Sequence, residues 1–150
     1  MKRRLARELA LQSLYQMQMN EVTSREAIQM AIEEAVHENE AGLEVTNEEI
    51  STEYIRELVD GTYNRLEEID RLLEKYIKGW KMDRLSKVDR EILRLATYEM
   101  IYRDDVPAKV VVNEAIELAK HFGSEESGKF VNGVLGQMIR EVDQIKVNLQ

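Results

Sequence analysis

Apolar residues return at every third or fourth position through most of the chain, the spacing of one face of an α-helix. Leu5, Leu9, Leu14 and Met17, with Ala6 and Ala10 beside them, form such a stripe and predict a first helix over residues 3–19. Asn20 and Thr23 mark its end. Thr23-x-x-Glu26 is a capping box, in which each residue's side chain accepts from the other's backbone N–H. It predicts a second helix from about Ser24 to about Glu38, with Ala27, Ile28, Ala31, Ile32 and Ala35 facing inward. Residues 39–45 lack periodicity and read as a loop. A second box, Thr46-x-x-Glu49, opens a third helix in which Tyr54, Leu58, Leu66, Ile69, Leu72, Leu73 and Tyr76 keep helical spacing. Gly61 lies inside it, and glycine costs about 1 kcal/mol relative to alanine in a helix interior. The spacing predicts one long helix over 46–78 with a kink at Gly61; a break there is the alternative.

Gly79-Trp80 ends this run, and residues 81–85 read as a connector with room for one turn. Ser86-x-x-Asp89 resembles a cap for a fourth helix, whose apolar run Val88, Ile92, Leu93, Leu95, Ala96 and Met100 is broad enough to be buried on most sides. Asp104 to Pro107 form a turn into a fifth helix, with Val110, Val111, Ala115, Leu118 and Ala119 inward. Phe122-Gly123 stops it, with glycine as the residue just beyond the end. A sixth helix begins near Ser127 and carries Phe130, Val131, Val134, Leu135, Met138, Ile139 and Val142; the last residues fray. No alternation of period two is long enough for a strand. The fold class is all-α, with helices packed as bundles.

Composition agrees. One proline and seven glycines leave long helices unbroken, and 43% apolar residues supply a core for one domain of 150 residues. The absence of cysteine excludes a disulfide scaffold, a thiolate zinc site and a cysteine nucleophile. No apolar run approaches the roughly 20 residues that span a bilayer. Charged and polar residues such as Glu8 and Gln12 follow the basic N-terminus at once, unlike a secretory signal. These features predict a cytoplasmic protein with no membrane contact. The net charge of −8 argues against nucleic acid, but its distribution is uneven. Residues 1–7 carry Lys2, Arg3, Arg4 and Arg7 and no acid, whereas residues 8–74 carry 17 acids against four bases. A basic tip on an acidic body suits local phosphate contact; a merely solvated terminus has the same composition.

Little here suggests catalysis. His37 and His121 lack metal-spaced neighbours, and pairs such as Glu33-Glu34 and Glu125-Glu126 are adjacent residues that do not face each other on a helix. There is no phosphate-cradling glycine loop and no nucleophile elbow. The expectation is a protein without catalytic residues, metal or cofactor. At 100° per residue, Arg3, Arg4, Arg7, Leu11 and Tyr15 share one arc of the first helix. That arc offers guanidinium groups for phosphate and a ring for base stacking. The alternative is that Leu11 and Tyr15 are core with solvated arginines above them.

Three stretches resemble the NusB family: RLARELALQSLY from Arg4 to Tyr15, WKMDRLSKVDREILRLATYE from Trp80 to Glu99, and DVPAKVVVNEAIELAKHFGSEESGKFVNGVL from Asp105 to Leu135. The third is the most specific. The resemblance implies a NusB-like fold of about six to seven helices in two small sub-bundles, about 1–78 and 79–150. It implies a transcription antitermination factor that binds the boxA element of ribosomal RNA transcripts with NusE, a small-subunit ribosomal protein, in the antitermination complex on RNA polymerase. Carried over by position, the RNA contacts are Arg3, Arg4, Arg7 and Tyr15 on the first helix and Glu126, Lys129 and Phe130 further on. Some members have Asp where this chain has Glu126. A NusE face is expected around Glu91, Tyr98 and Glu99, and a monomer or weak homodimer in solution. The alternatives are a helical adaptor that binds proteins without RNA specificity, and a stand-alone relative of the RNA-binding domain of a ribosomal RNA cytosine methyltransferase.

Overall fold

A computed structural model describes residues 3–39, 51–79 and 81–149. Among these residues there is no strand. They form α1 (Arg3–Asn20), α2 (Ser24–Asn39), α3 (Thr52–Tyr63), α4 (Leu66–Leu73), a 3-10 turn (Met82–Arg84), α5 (Lys87–Tyr102), α6 (Ala108–Phe122), α7 (Glu125–Ile139) and α8 (Val142–Asn148). The all-helical class is as expected. The helices outnumber the expectation because residues 52–73 are two helices and because the C-terminal run breaks before Val142. The Thr46-x-x-Glu49 box, residues 40–45 of the expected loop, and Trp80 lie outside the described residues.

The chain divides into two compact units, Met1–Tyr63 and Asn64–Gln150, some way before the expected division at 78. Gly61 stays inside α3, and the chain turns at Asn64–Arg65 instead. Contacts to α5 hold α4 in the second unit. The Arg65 guanidinium stacks 4.8 Å from the Tyr102 ring centroid and 5.9 Å from that of Tyr98. Arg94 of α5 grips Asp70 of α4 through two hydrogen bonds, Nη2 to Oδ2 at 2.7 Å and Nε to Oδ1 at 2.8 Å.

In the first unit α1, α2 and α3 pack pairwise. Ala6, Leu9, Ala10 and Leu14 of α1 are buried, as are Ala27, Ile28 and Ala31 of α2 and Ile55, Leu58 and Val59 of α3. The alanines permit close approach of helix backbones. The predicted capping box forms: Glu26 N–H donates to Thr23 Oγ1 at 3.2 Å, and Thr23 N–H donates to Glu26 Oε1 at 3.3 Å. Ser51 caps α3 by accepting from Tyr54 N–H at 3.2 Å. The buried hydroxyls of Ser13 and Thr62 each donate to the carbonyl four residues back, at 2.7 Å, so neither is left unsatisfied.

In the second unit α5 is central and packs on α4, α6, α7 and α8. Every residue from Glu91 to Ile101 is buried, the physical sense of its broad apolar run. Two of them are charged: Glu91 lies between Arg94 Nη1 at 3.1 Å and Arg90 Nε at 3.0 Å. Burial pushes the Glu91 carboxyl above its ordinary range, and the two arginines offset this only in part. α6 and α7 pack closely, with Val111, Ala115, Leu118 and Ala119 buried on one and Val131, Val134, Leu135 and Met138 on the other. Gly79 adopts φ +79°, the left-handed conformation that favours glycine. Gly123 does not. It is needed for space, because a Cβ there would lie 2.6 Å from Ser127 Oγ and 2.8 Å from the Ala119 carbonyl oxygen.

Candidate nucleic-acid interface

The arginines expected to face phosphate divide by position on α1. Arg3 and Arg4 are exposed, and the Arg3 guanidinium sits 5.5 Å from the ring centroid of Tyr54 on α3. That stacking fixes a flexible side chain at the surface, which lowers the entropy cost of binding an anion. Arg7 is only 3% exposed and Leu11 is equally buried. The expected basic arc is therefore not continuous: its centre turns into the protein, and of its three arginines Arg3 and Arg4 are the ones exposed. Tyr15 is half-buried, with part of its ring at the surface.

The expected residues of the second unit gather on the first turns of α7. Ser124 caps this helix, accepting from Ser127 N–H at 3.1 Å, so α7 starts at Glu125 and not near Ser127. The side chains of Glu126 and Lys129 point into solvent and approach to 3.8 Å across one turn. An ion pair this exposed is worth little, so Lys129 is free to exchange partners. Phe130 is half-buried and neither wholly core nor wholly surface.

Phe130 lines a groove of about 290 Å³ together with Glu126 and Ser127 of α7 and Arg84, Leu85, Ser86 and Asp89. The groove thus lies at two helix N-termini. Ser86 caps α5 by accepting from Asp89 N–H at 3.1 Å. Sequence reasoning found the cap but missed that it forms one wall of a site with Phe130. The only signal was the cap itself. Gly128, buried behind this surface, lies under Lys120: a Cβ at 128 would meet Lys120 Cγ at 2.9 Å.

The residues expected to form the protein-partner face are buried. Glu91 is 0% exposed, Tyr98 8% and Glu99 2%. Glu91 serves the buried ion network, and Tyr98 stacks with Tyr102 at 6.0 Å under Arg65. Side chains buried to this degree offer a partner little surface. Among the described residues no group of His, Cys, Asp or Glu is arranged to hold a metal ion, and no helix is long and apolar enough to cross a membrane.

Comparison with known proteins gives one consistent likeness. The sequence pattern of the NusB family matches residues 4–140. The transcription antitermination protein NusB of Acetivibrio thermocellus is 44% identical over 141 residues, covering 93% of this chain and 90% of that protein. Among solved structures, T. maritima NusB superposes with a TM-score of 0.80 at 32% identity, covering 99% of this chain and 98% of that one. A chain of the crystal structure of antitermination factors NusB and NusE in complex with dsRNA gives a TM-score of 0.77 at 31% identity, covering 92% of this chain and 96% of that one.

Proposed function

The chain belongs to the NusB family, and from that premise we propose that it is a transcription antitermination factor that binds the boxA element of ribosomal RNA transcripts together with NusE. Its work is binding: it joins RNA and NusE to the antitermination complex on RNA polymerase and catalyses no reaction. The observation that carries this reading is the likeness to a chain solved together with NusE and dsRNA. The geometry adds support. Lys129 is exposed beside a half-buried phenylalanine on a groove, which suits unpaired RNA with its phosphate outside and a base stacked within. Arg3 and Arg4 act as further phosphate contacts, with Tyr15 as a second stacking surface. Arg7 supports α1 from within.

Transcription in vitro tests the proposal. With RNA polymerase and NusE present, adding the protein raises readthrough of a terminator placed after boxA and leaves a scrambled-boxA template unchanged. Equal readthrough on both templates refutes it.

A second reading, a helical adaptor without RNA specificity, draws on the net charge of −8 and on the burial of Arg7. Replacing the exposed Arg3 and Arg4 together by alanine leaves such an adaptor's function intact. Loss of RNA binding with NusE binding retained excludes it.

A further inference from the structure

The first unit carries a surface that the RNA contacts on α1 and α7 leave unused. Residues 8–63 hold 13 acids against two arginines, Arg25 and Arg56. One is on α2 and the other on α3, yet both line the same groove of about 350 Å³ between these helices. Both are exposed, and among the described residues neither forms an ion pair. Ile28 and Ile32, one turn apart on α2, line the groove with them, and Ile32 is half-buried, with part of its side chain open to solvent. Glu33 is further along the same stripe, where its carboxylate accepts from Gln29 Nε2 at 3.2 Å. The positive charge of an otherwise acidic stretch is thus concentrated beside aliphatic side chains.

Such a lining suits an anion attached to an aliphatic body, and the groove is within the size range of ligand sites, about 300–1,000 Å³. A guanidinium fork matches carboxylate and phosphate alike, so the rest of the lining decides between them. Among the described residues that line the groove there is no aromatic ring, which leaves a base nothing to stack on. An RNA backbone carries a charge at every nucleotide and would be repelled by the acids that dominate this stretch. A short protein segment can instead bring one or two carboxylates to the arginines and bury aliphatic side chains on the isoleucines, the way an amphipathic helix seats in a groove.

We propose that the α2–α3 groove docks an acidic amphipathic helix of a protein partner. Its carboxylates pair with Arg25 and Arg56, and its aliphatic side chains pack on Ile28 and Ile32. The site shares no residue with the proposed RNA contacts, and its failure leaves the antitermination reading standing.

The test is fluorescence anisotropy of the full chain with a labelled peptide whose leucines recur at helical spacing and whose two glutamates stand one turn apart. Two control peptides carry glutamine for each glutamate or serine for each leucine. Wild-type protein binds the glutamate–leucine peptide. The glutamine control binds about fivefold more weakly, the scale of two exposed ion pairs, and the serine control about tenfold more weakly or worse. An Arg25→Gln, Arg56→Gln double variant, with both changes at exposed positions, binds the glutamate and glutamine peptides alike and keeps its affinity for boxA RNA. No binding of the glutamate–leucine peptide by the wild-type protein overturns the proposal. A preference for glutamate that survives in the double variant overturns it by placing the peptide elsewhere. Equal binding of the serine control overturns it by reducing the contact to charge attraction alone. A drop in RNA affinity in the double variant overturns it by assigning the groove to RNA.

Discussion

Arg94 holds Asp70 through two parallel hydrogen bonds of 2.7 and 2.8 Å while its third nitrogen, Nη1, reaches Glu91 at 3.1 Å. One guanidinium therefore satisfies two carboxylates, one of them wholly buried, and ties α4 to α5. Arginine's planar fork makes this possible, and lysine cannot replace it. Arg94→Ala leaves Glu91 buried with Arg90 as its remaining partner. It should destabilise the fold by about 3–5 kcal/mol, read from urea unfolding. Pairing it with Glu91→Gln should recover part of the loss. Equal unfolding midpoints for wild type and Arg94→Ala would show that the network contributes nothing.

Two tyrosines make stability depend on alkaline pH. Burial, and then the hydrogen bond to Glu141, push the Tyr76 hydroxyl up to about 12. Burial and the hydrogen bond to Glu68 do the same for Tyr102, also to about 12. Each pKa is raised on folding, so each contribution is fully present below about pH 10 and is lost as pH rises toward 12. Melting temperature should fall across that window. It should fall less steeply in a Tyr76→Phe, Tyr102→Phe double variant. Parallel curves for the two proteins would contradict the assignment.

Glycines on either side of Ser127 should respond oppositely to alanine. Gly123→Ala drives a Cβ against Ser127 Oγ and a backbone oxygen and should cost about 1–3 kcal/mol. Gly133, in the middle of α7, has nothing within 4 Å of its would-be Cβ. Gly133→Ala should stabilise by up to about 1 kcal/mol through helix propensity. Thermal unfolding of the two variants checks both signs.

The exposed and half-buried residues of α7 separate two kinds of RNA contact. Lys129→Ala should weaken binding to every RNA sequence and flatten the salt dependence by about one unit of slope. Phe130→Ala should cost about 1–3 kcal/mol of binding with the salt slope unchanged. Identical effects of the two substitutions on the slope would argue against a phosphate role for Lys129.

What was legible in the sequence was local. The stripe of Leu9 and Leu14, the Thr23–Glu26 box and the Ser86 cap depend on residues three or four apart, and each is found in the structure. The break at Asn64–Arg65 was not legible, because its cause is tertiary. Arg65 leaves the helical course to stack on Tyr98 and Tyr102, and Asp70 is held by an arginine 24 residues away. Gly61 was the obvious suspect, and packing overrode its weak propensity. Arg7 shares an arc with Arg3 on paper, yet periodicity alone does not say how far the buried side of α1 extends. Glu91 and Glu99 read as surface because they are charged; only the partners of Glu91 explain its burial. The groove at Phe130 joins residues about 40 positions apart, Arg84 to Asp89 with Glu126 to Phe130, and no local pattern links them.

The central claim is selective RNA binding, and fluorescence anisotropy tests it most directly, with labelled boxA RNA and a scrambled control of equal length, with and without NusE, at two salt concentrations. The account predicts tighter binding to boxA, strengthened by NusE and weakened by salt as phosphate contacts release counterions. Equal or absent binding to both RNAs with NusE present would contradict it and leave a helical protein whose partners are other proteins.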